Sequence, residues 1–354
     1  MALFTIPSVG IRGVSACVPP LIERNRDFGI LTGEEKEKLV ASIGVEEKRV
    51  ADVHTCTSDL CFMAAERLLA DLGWEREEIE ILVFVSQSPD YILPATACIL
   101  QDRLGLSQEC YAVDLSLGCS GWVYGLSAIA SVMSAGRMKK GLLLVGDTTT
   151  KLGSAEDKTV RPLFGDAGTA TALVYSENTR GMTFHTATDG SGKDAIIIPD
   201  GGYRNMVNNN SLSYESTGGG IFRNRLHCRL DGMDVFSFAI TKVPKSVKKV
   251  LELAGMKKEA VDYYLFHQAN LMLNETVVRK LKLSPSQVPY SIRKFGNTSS
   301  ASIPLTMVTE IRESLRTRPL KLVGCGFGVG LSWATVYLET DNIVCPDLIE
   351  YRHE

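Results

Sequence analysis

The stretch Val113-Asp114-Leu115-Ser116-Leu117-Gly118-Cys119-Ser120-Gly121-Trp122 decides how the rest of the chain is read. Val113, Leu115 and Leu117 alternate with other residues, the period of a strand arriving from a core. Gly118 permits a sharp turn. Beyond it Trp122, Leu126, Ile129, Ala130 and Met133 recur at helical spacing. Cys119 therefore stands where a strand turns into a buried helix. The free N–H groups and dipole of that helix favour a thiolate, so its pKa is expected to fall below the usual ~8.5. A buried, inert cysteine is the other reading of the same pattern.

Working outward from this unit, the chain repeats itself. The run Gly73–Phe84, which leads into the apolar strand Ile81–Ser86, aligns with Gly255–Phe266 at an offset of 182 residues. Gly118-Cys119, the following helix and Leu144-Val145-Gly146 align with Gly296-Asn297 through Leu322-Val323-Gly324 at an offset of 178. Two strand–helix–strand arrays of one plan predict a pseudo-twofold α/β fold, with parallel-type sheets sandwiching buried helices. The expected divisions are 1–188 for the half with Cys119, 189–232 for a Gly-, Asn- and Ser-rich connection over a site, and 233–354 for the second half. The alignment sets Asn297 at the position equivalent to Cys119, and His267 at the strand end equivalent to Val85. Strand ends of doubly wound sheets face a shared crevice, and one symmetric crevice can hold all three.

Taken singly, these residues have plainer readings. His267 follows an apolar strand and precedes a helix, a functional position, yet a lone histidine is also a common packing residue. Asn297, before a helical run, also fits an N-cap. Gly326-Phe327-Gly328-Val329-Gly330 is followed by the strand-like Leu331–Leu338 and not by a helix. That context disfavours a phosphate cradle and favours a turn offering backbone N–H donors. Asp166 reads as turn chemistry. Helices are predicted over Glu34–Ser42, over Leu60–Leu72 with Ser58 as cap and Gly73 as stop, over Ala95–Leu104, and from about Val235 to Leu253.

Composition excludes several functions. A net charge of −3 gives no global attraction to nucleic acid or anionic membrane. The longest apolar runs fall far short of the ~20 residues of a membrane span, and the first residues do not read as a signal peptide. Nine scattered cysteines without a CxxC, and histidines that do not cluster, predict a reduced, cytoplasmic protein with no metal site.

Four segments together carry a resemblance: Gly118-Cys119-Ser120-Gly121, His267-Gln268-Ala269-Asn270, Gly296-Asn297-Thr298-Ser299 and Gly326-Phe327-Gly328-Val329-Gly330. They resemble the signatures of β-ketoacyl-[acyl-carrier-protein] synthase III, a thiolase-fold condensing enzyme, and span nearly the whole chain in the right order. Phe164-Gly165-Asp166-Ala167-Gly168 matches a further segment of that family. The resemblance implies a homodimer with a five-layer αβαβα core. It implies Cys119 as nucleophile, His267 and Asn297 as its helpers, and an acyl–Cys119 thioester that is attacked after decarboxylation of a malonyl thioester. The backbone N–H groups of Cys119 and Val329 become the oxyanion donors, and no metal or redox cofactor is needed. Leu93, before Pro94, falls where a residue of the partner subunit borders the acyl tunnel. Acyl carrier protein, with CoA as the other donor carrier, is the implied partner, and Lys242, Lys245 and Lys249, beside Lys248, form a basic row for docking it.

Departures from the pattern bear on recognition and not on chemistry. Lys38 stands at an adenine-stacking Trp position, Ser42 at a CoA-binding Arg, Met272 at a carrier-docking Arg, and Val329 at a Gly. These predict a specialised relative outside bulk fatty-acid initiation. Three alternatives are weaker. A Cys-His-Asn hydrolase shares the residue order but lacks the local cysteine signature. A reaction like that of HMG-CoA synthase needs a carboxylate base, for which only Glu156 is near. A non-catalytic subunit would not need to keep all three residues.

Overall fold

The computed structural model describes residues 2–219 and 221–352. Two sheets carry it. One has six strands in the order Ile349–Glu350, Val9–Val18, Ala167–Tyr175, Lys140–Asp147, Ile81–Val85 and Tyr111–Leu115. The other has five: Ala2–Ile6, Met182–Thr188, Ser332–Thr340, Leu320–Gly328 and Tyr263–Phe266. The three strands nearest the Cys119 turn, Lys140–Asp147, Ile81–Val85 and Tyr111–Leu115, are mutually parallel, as are Tyr263–Phe266 with Leu320–Gly328 and Ile349–Glu350 with Val9–Val18, and antiparallel pairings complete both sheets. Ile81–Val85 is buried on both faces, which is why its sequence reads as an unbroken apolar run.

Between the sheets lie Gly121–Gly136 and Ser302–Glu310, the two helices that the duplication makes equivalent. Each packs on strands of both sheets, and one apolar cluster joins Trp122, Leu126 and Ile129 to Ile303, Leu305 and Met307. Thr57–Leu72 and Thr96–Arg103 cover the outer face of the six-stranded sheet. Gly232–Leu253 and Leu271–Leu281 cover the outer face of the other. The layers run helix, sheet, helix, sheet, helix, the expected five-layer thiolase-like fold.

Some expected boundaries move. The strand Met182–Thr188, inside the 1–188 span, hydrogen-bonds into the five-stranded sheet and takes Ala2–Ile6 with it. Gly181, at φ +79°, makes the crossing turn, and a Cβ there would meet the Ile6 carbonyl oxygen at 2.3 Å. The connection 189–231 is not structureless: Ile196–Ile197 pairs with Arg229–Leu230, and Glu215–Ser216 with Phe222–Arg223. The helix expected to be capped by Ser58 starts earlier. Cys56 occupies the cap, its N–H donating to the Asp59 carboxylate at 2.7 Å, while the Ser58 hydroxyl donates to Asp90 at 2.8 Å. Gly73 ends that helix in the left-handed conformation, as expected. The long helix begins at Gly232 because the Asp231 carboxylate accepts from the N–H groups of Met233 and Asp234.

All nine cysteines are free thiols, and no helix among the described residues is long and apolar enough to cross a membrane. Trp122 is the largest wholly buried side chain. Its Nε1 donates to Thr171 Oγ1 at 3.1 Å, and its ring lies where a Cβ on Gly324 would stand 2.9 Å away. Trp122→Ala is expected to cost ~3–5 kcal/mol of unfolding free energy in a denaturant titration. A loss below ~1 kcal/mol would show that this contact between the layers is not a keystone.

Candidate active site

The glycines around Cys119 are conditions for close approach. A Cβ on Gly326 would meet the Cys119 carbonyl oxygen and Ser120 Cα at 2.8 Å, and one on Gly328 would meet Cys119 Sγ at 2.8 Å. Without those side chains the strand Leu320–Gly328 lies directly against the Cys119 turn, and the Val329 N–H donates toward the sulfur. The Cys119 N–H approaches it as well. Gly326–Gly330 joins two antiparallel strands, as the sequence predicts.

His267 emerges from the end of Tyr263–Phe266 and is buried. Its N–H bonds the Cys325 carbonyl at 2.9 Å, and its own carbonyl accepts from Asn274 Nδ2 at 3.0 Å. The two polar neighbours in its motif serve the scaffold. Gln268 donates to the Phe266 carbonyl and accepts from the N–H groups of Ser291 and Ile292, and Asn270 caps the next helix through the Leu273 N–H at 2.8 Å. The imidazole Nδ1 sits 2.7 Å from Ser302 Oγ, which leaves Nε2 for the site. Phe327 meets the ring edge-on at 5.5 Å.

Asn297 is held on the backbone by the Leu163 carbonyl (2.9 Å) and the Gly165 N–H (3.0 Å). Its Oδ1 accepts from the Ser299 N–H at 2.9 Å, and Nδ2 donates to the Ala269 carbonyl at 3.3 Å, with its second N–H left over. The N-cap reading is thus half right: the side chain organises the turn but also keeps a donor free. Ser299 Oγ lies 4.0 Å from Cys119 Sγ.

Cys119, His267 and Asn297 line one cavity of about 370 Å³. Its wall is mostly apolar, with Leu152, Leu163 and Phe164 on one side and, on another, Ile196, Ile197 and Leu230 from the covering segment and Val235 from the helix Gly232–Leu253. Asp147, which the sequence reading passed over, ties the site together. Its buried carboxylate accepts from the Gln87 N–H at 2.8 Å and Ser86 Oγ at 3.1 Å, and from Ser300 Oγ at 2.6 Å and the Ser300 N–H at 3.2 Å. An acid directly after a buried strand was the available signal. Ser299, Ser300 and Ser302 were also legible, being in the same short run as Asn297.

The electrostatics reverse one expectation. Burial pushes the Cys119 thiol up to about 11, against the pull of the Val329 N–H and Ser299. The helix proper starts only at Gly121, so its dipole acts at a distance while desolvation acts at the sulfur itself. Burial also drives His267 down to about 3, so the imidazole is neutral. Asp166 is pushed up to about 6 by burial. It accepts from the Ala51 and Thr150 N–H groups, a structural role as expected.

Other expected residues lie apart. Leu93 is 75% exposed and does not line the cavity. Glu156 is exposed and outside it too, and the carboxylate that does line the cavity, Asp147, is taken up by Gln87, Ser86 and Ser300. Lys38 pairs with Glu34 at 2.6 Å, the Ser42 hydroxyl donates to its own helix, and Met272 is exposed. Lys242, Lys245 and Lys249 ride the helix whose first turn lines the cavity, but not as one open face: Lys242 lies 5.3 Å over the Trp333 ring, and only Lys245 of the three is fully exposed.

Residues 113–190 match the family model described as 3-oxoacyl-[acyl-carrier-protein] synthase III, and residues 251–340 match its C-terminal counterpart. A putative 3-oxoacyl-[acyl-carrier-protein] synthase 3 of Campylobacter jejuni is 32% identical over 88% of this chain and 87% of its own. A β-ketoacyl-[acyl-carrier-protein] synthase III of Geobacillus kaustophilus is 31% identical over 93% of this chain and 98% of its own. The crystal structure of a 3-oxoacyl-(acyl-carrier protein) synthase from Burkholderia xenovorans superposes with a TM-score of 0.93, at 38% identity over 99% of both chains.

A thiol raised to about 11 and an imidazole neutral above about 3 define a pH profile. Thiolate is the form that alkylates, so the rate at Cys119 with iodoacetamide is expected to climb about tenfold per pH unit from 7 to 10, with no step near 6 from His267. Intact-mass kinetics give that rate. A plateau with its midpoint at or below about 8.5 would mean that the helix and N–H groups outweigh burial.

Proposed function

We propose, from the premise that this chain belongs to the 3-oxoacyl-[acyl-carrier-protein] synthase III family, that Cys119 carries the acyl group during its reaction. The chain is a condensing acyltransferase: it joins an acyl thioester to malonyl-acyl-carrier-protein with loss of CO₂ and forms a β-ketoacyl thioester. The observation that carries the acyl–Cys119 reading is the meeting of Cys119, His267 and Asn297 in one mostly apolar cavity, with the Val329 N–H at the sulfur.

In the first step Cys119 Sγ attacks the acyl carbonyl, and the carbonyl π pair moves onto oxygen. The Cys119 and Val329 N–H groups stabilise that oxyanion. As it collapses, the carrier thiol leaves and takes up the proton released by Cys119. Because the thiol rests neutral, its proton passes to the departing carrier thiol as the new C–S bond forms and the old one breaks. In the second step the malonyl carboxylate leaves as CO₂ and its bonding pair forms an enolate. His267 Nε2–H and the spare Asn297 N–H donate to the enolate oxygen. Both donors are uncharged, so neither sets an anion beside the enolate. The carbanion then displaces Cys119 thiolate, which regains a proton from solvent. This chemistry is complete without a metal or redox cofactor, since the thioester carbonyl is itself the electron sink.

The dimer and the carrier site are part of the same proposal. Tyr111–Leu115 is a sheet edge, and the Asp114 carboxylate fixes the nearby helix start through the Thr96 and Ala97 N–H groups. The exposed Tyr91-Ile92-Leu93 stands beside that edge, which suits a second copy completing the sheet and bringing Leu93 to the neighbouring cavity. Lys245 and its neighbours lie about 10–20 Å along their helix from the cavity mouth, where they suit an acidic carrier protein. A cytoplasmic location agrees with nine free thiols.

Cys119→Ala is expected to abolish acyl-enzyme formation and condensation while keeping part of the malonyl decarboxylation. His267→Ala and Asn297→Ala should still acylate and should lose decarboxylation by about 10²–10³. Intact mass and CO₂ release separate the two steps. Poor acylation with normal decarboxylation in Asn297→Ala would refute its role. Leu93→Phe is expected to shift preference toward shorter donors by roughly 1–3 kcal/mol per excluded methylene. An unchanged chain-length profile would remove Leu93 from the tunnel.

A further inference from the structure

Besides the side that carries His267 and Asn297, the cavity has a second polar stretch of wall. Gln87 Oε1 lies where a Cβ on Gly118 would stand 2.5 Å away, with Val329 Cγ1 2.8 Å from the same point. The Gln87 amide therefore stands against the peptide that leads into Cys119. Ser116, three residues before Cys119, and Thr149, after the strand Lys140–Asp147, line the same cavity. The Gln87 backbone N–H is engaged by Asp147, but its side-chain amide, Ser116 Oγ and Thr149 Oγ1 have no hydrogen-bond partner among the described residues. Ile196, Ile197 and Leu230 of the covering segment add an aliphatic stretch to the same wall.

We propose that Gln87, Ser116 and Thr149 form the acyl subsite and read a neutral hydrogen-bonding substituent, a hydroxyl on the second to fourth carbon of the acyl group. The assignment rests on the reading of Cys119 as the acylated residue. A plain alkyl chain laid on this wall would strip water from an amide and two hydroxyls and give nothing back. A hydroxyl both donates and accepts, and so satisfies the amide and a neighbouring hydroxyl at once. Charge narrows the class further. No lysine or arginine lines the cavity, and the Asp147 carboxylate does, so a carboxylated acyl group would meet an anion with no cation to offset it. The side facing His267 and Asn297 is the other end of the site, where the malonyl carbonyl must lie. The polar wall beside Gly118 is thus left for the acyl group.

The test compares 3-hydroxybutyryl, butyryl and succinyl thioesters on one carrier, with initial rates of Cys119 acylation followed by intact mass. The expected order is 3-hydroxybutyryl over butyryl by about tenfold or more, with succinyl slowest. In Gln87→Leu the ratio of hydroxybutyryl to butyryl should fall to about one, and Thr149→Val should lower it in the same direction. Being internal to each variant, the ratio does not depend on how much active protein survives. Equal rates or a butyryl preference in the unaltered protein would overturn the polar subsite while leaving acyl–Cys119 standing. So would a ratio unchanged in both variants. No adduct on Cys119 with any donor would overturn the acyl-enzyme reading and this assignment with it.

Discussion

The Asp147 carboxylate is the contact on which the site depends. It closes the strand Lys140–Asp147, and its four hydrogen bonds reach the end of Ile81–Val85 on one side and the turn before Ser302–Glu310 on the other. That turn carries Asn297, Ser299 and Ser302, so a single buried group sets the first half's strand ends against the second half's donors. Burial raises the Asp147 pKa, and the hydrogen bonds oppose that shift. A buried carboxylate is tolerable only while its lone pairs are filled, so each of these partners is constrained in turn.

Burial of the reacting groups follows from the same packing. The covering segment, the apolar wall and the close approach of Leu320–Gly328 bury the sulfur and the imidazole. The result is a neutral thiol beside a neutral imidazole, and not an ion pair. Such a site holds little charge at rest and has its N–H donors already aimed, which is how a preorganised site favours charge that develops only in the transition state.

The duplication is used asymmetrically. Equivalent positions hold Cys119 in one half and Asn297 in the other, and Val85 in one and His267 in the other. One half supplies the nucleophile at the start of its buried helix. The other supplies Asn297 at the same point of its own copy and His267 at the end of an earlier strand. Gln87 shows the asymmetry again, since its equivalent, Ala269, offers only a backbone carbonyl to Asn297.

Periodicity and repetition in the sequence alone determined the fold class, the pairing of the halves, the buried helices and the three residues at equivalent strand and helix ends. These are local properties: an apolar run, a helical stripe and a glycine turn are each written in consecutive residues. What only tertiary structure decided is how far each group is from water and what stands opposite it. The thiol's pKa rose because desolvation depends on every wall of the cavity, which no local stretch encodes. The roles of Asp147 and the sheet membership of Met182–Thr188 were set by contacts between residues far apart in the chain, as was the pairing of Ser302 with His267. Leu93 is exposed in the single chain, since nothing within one copy brings it to the cavity.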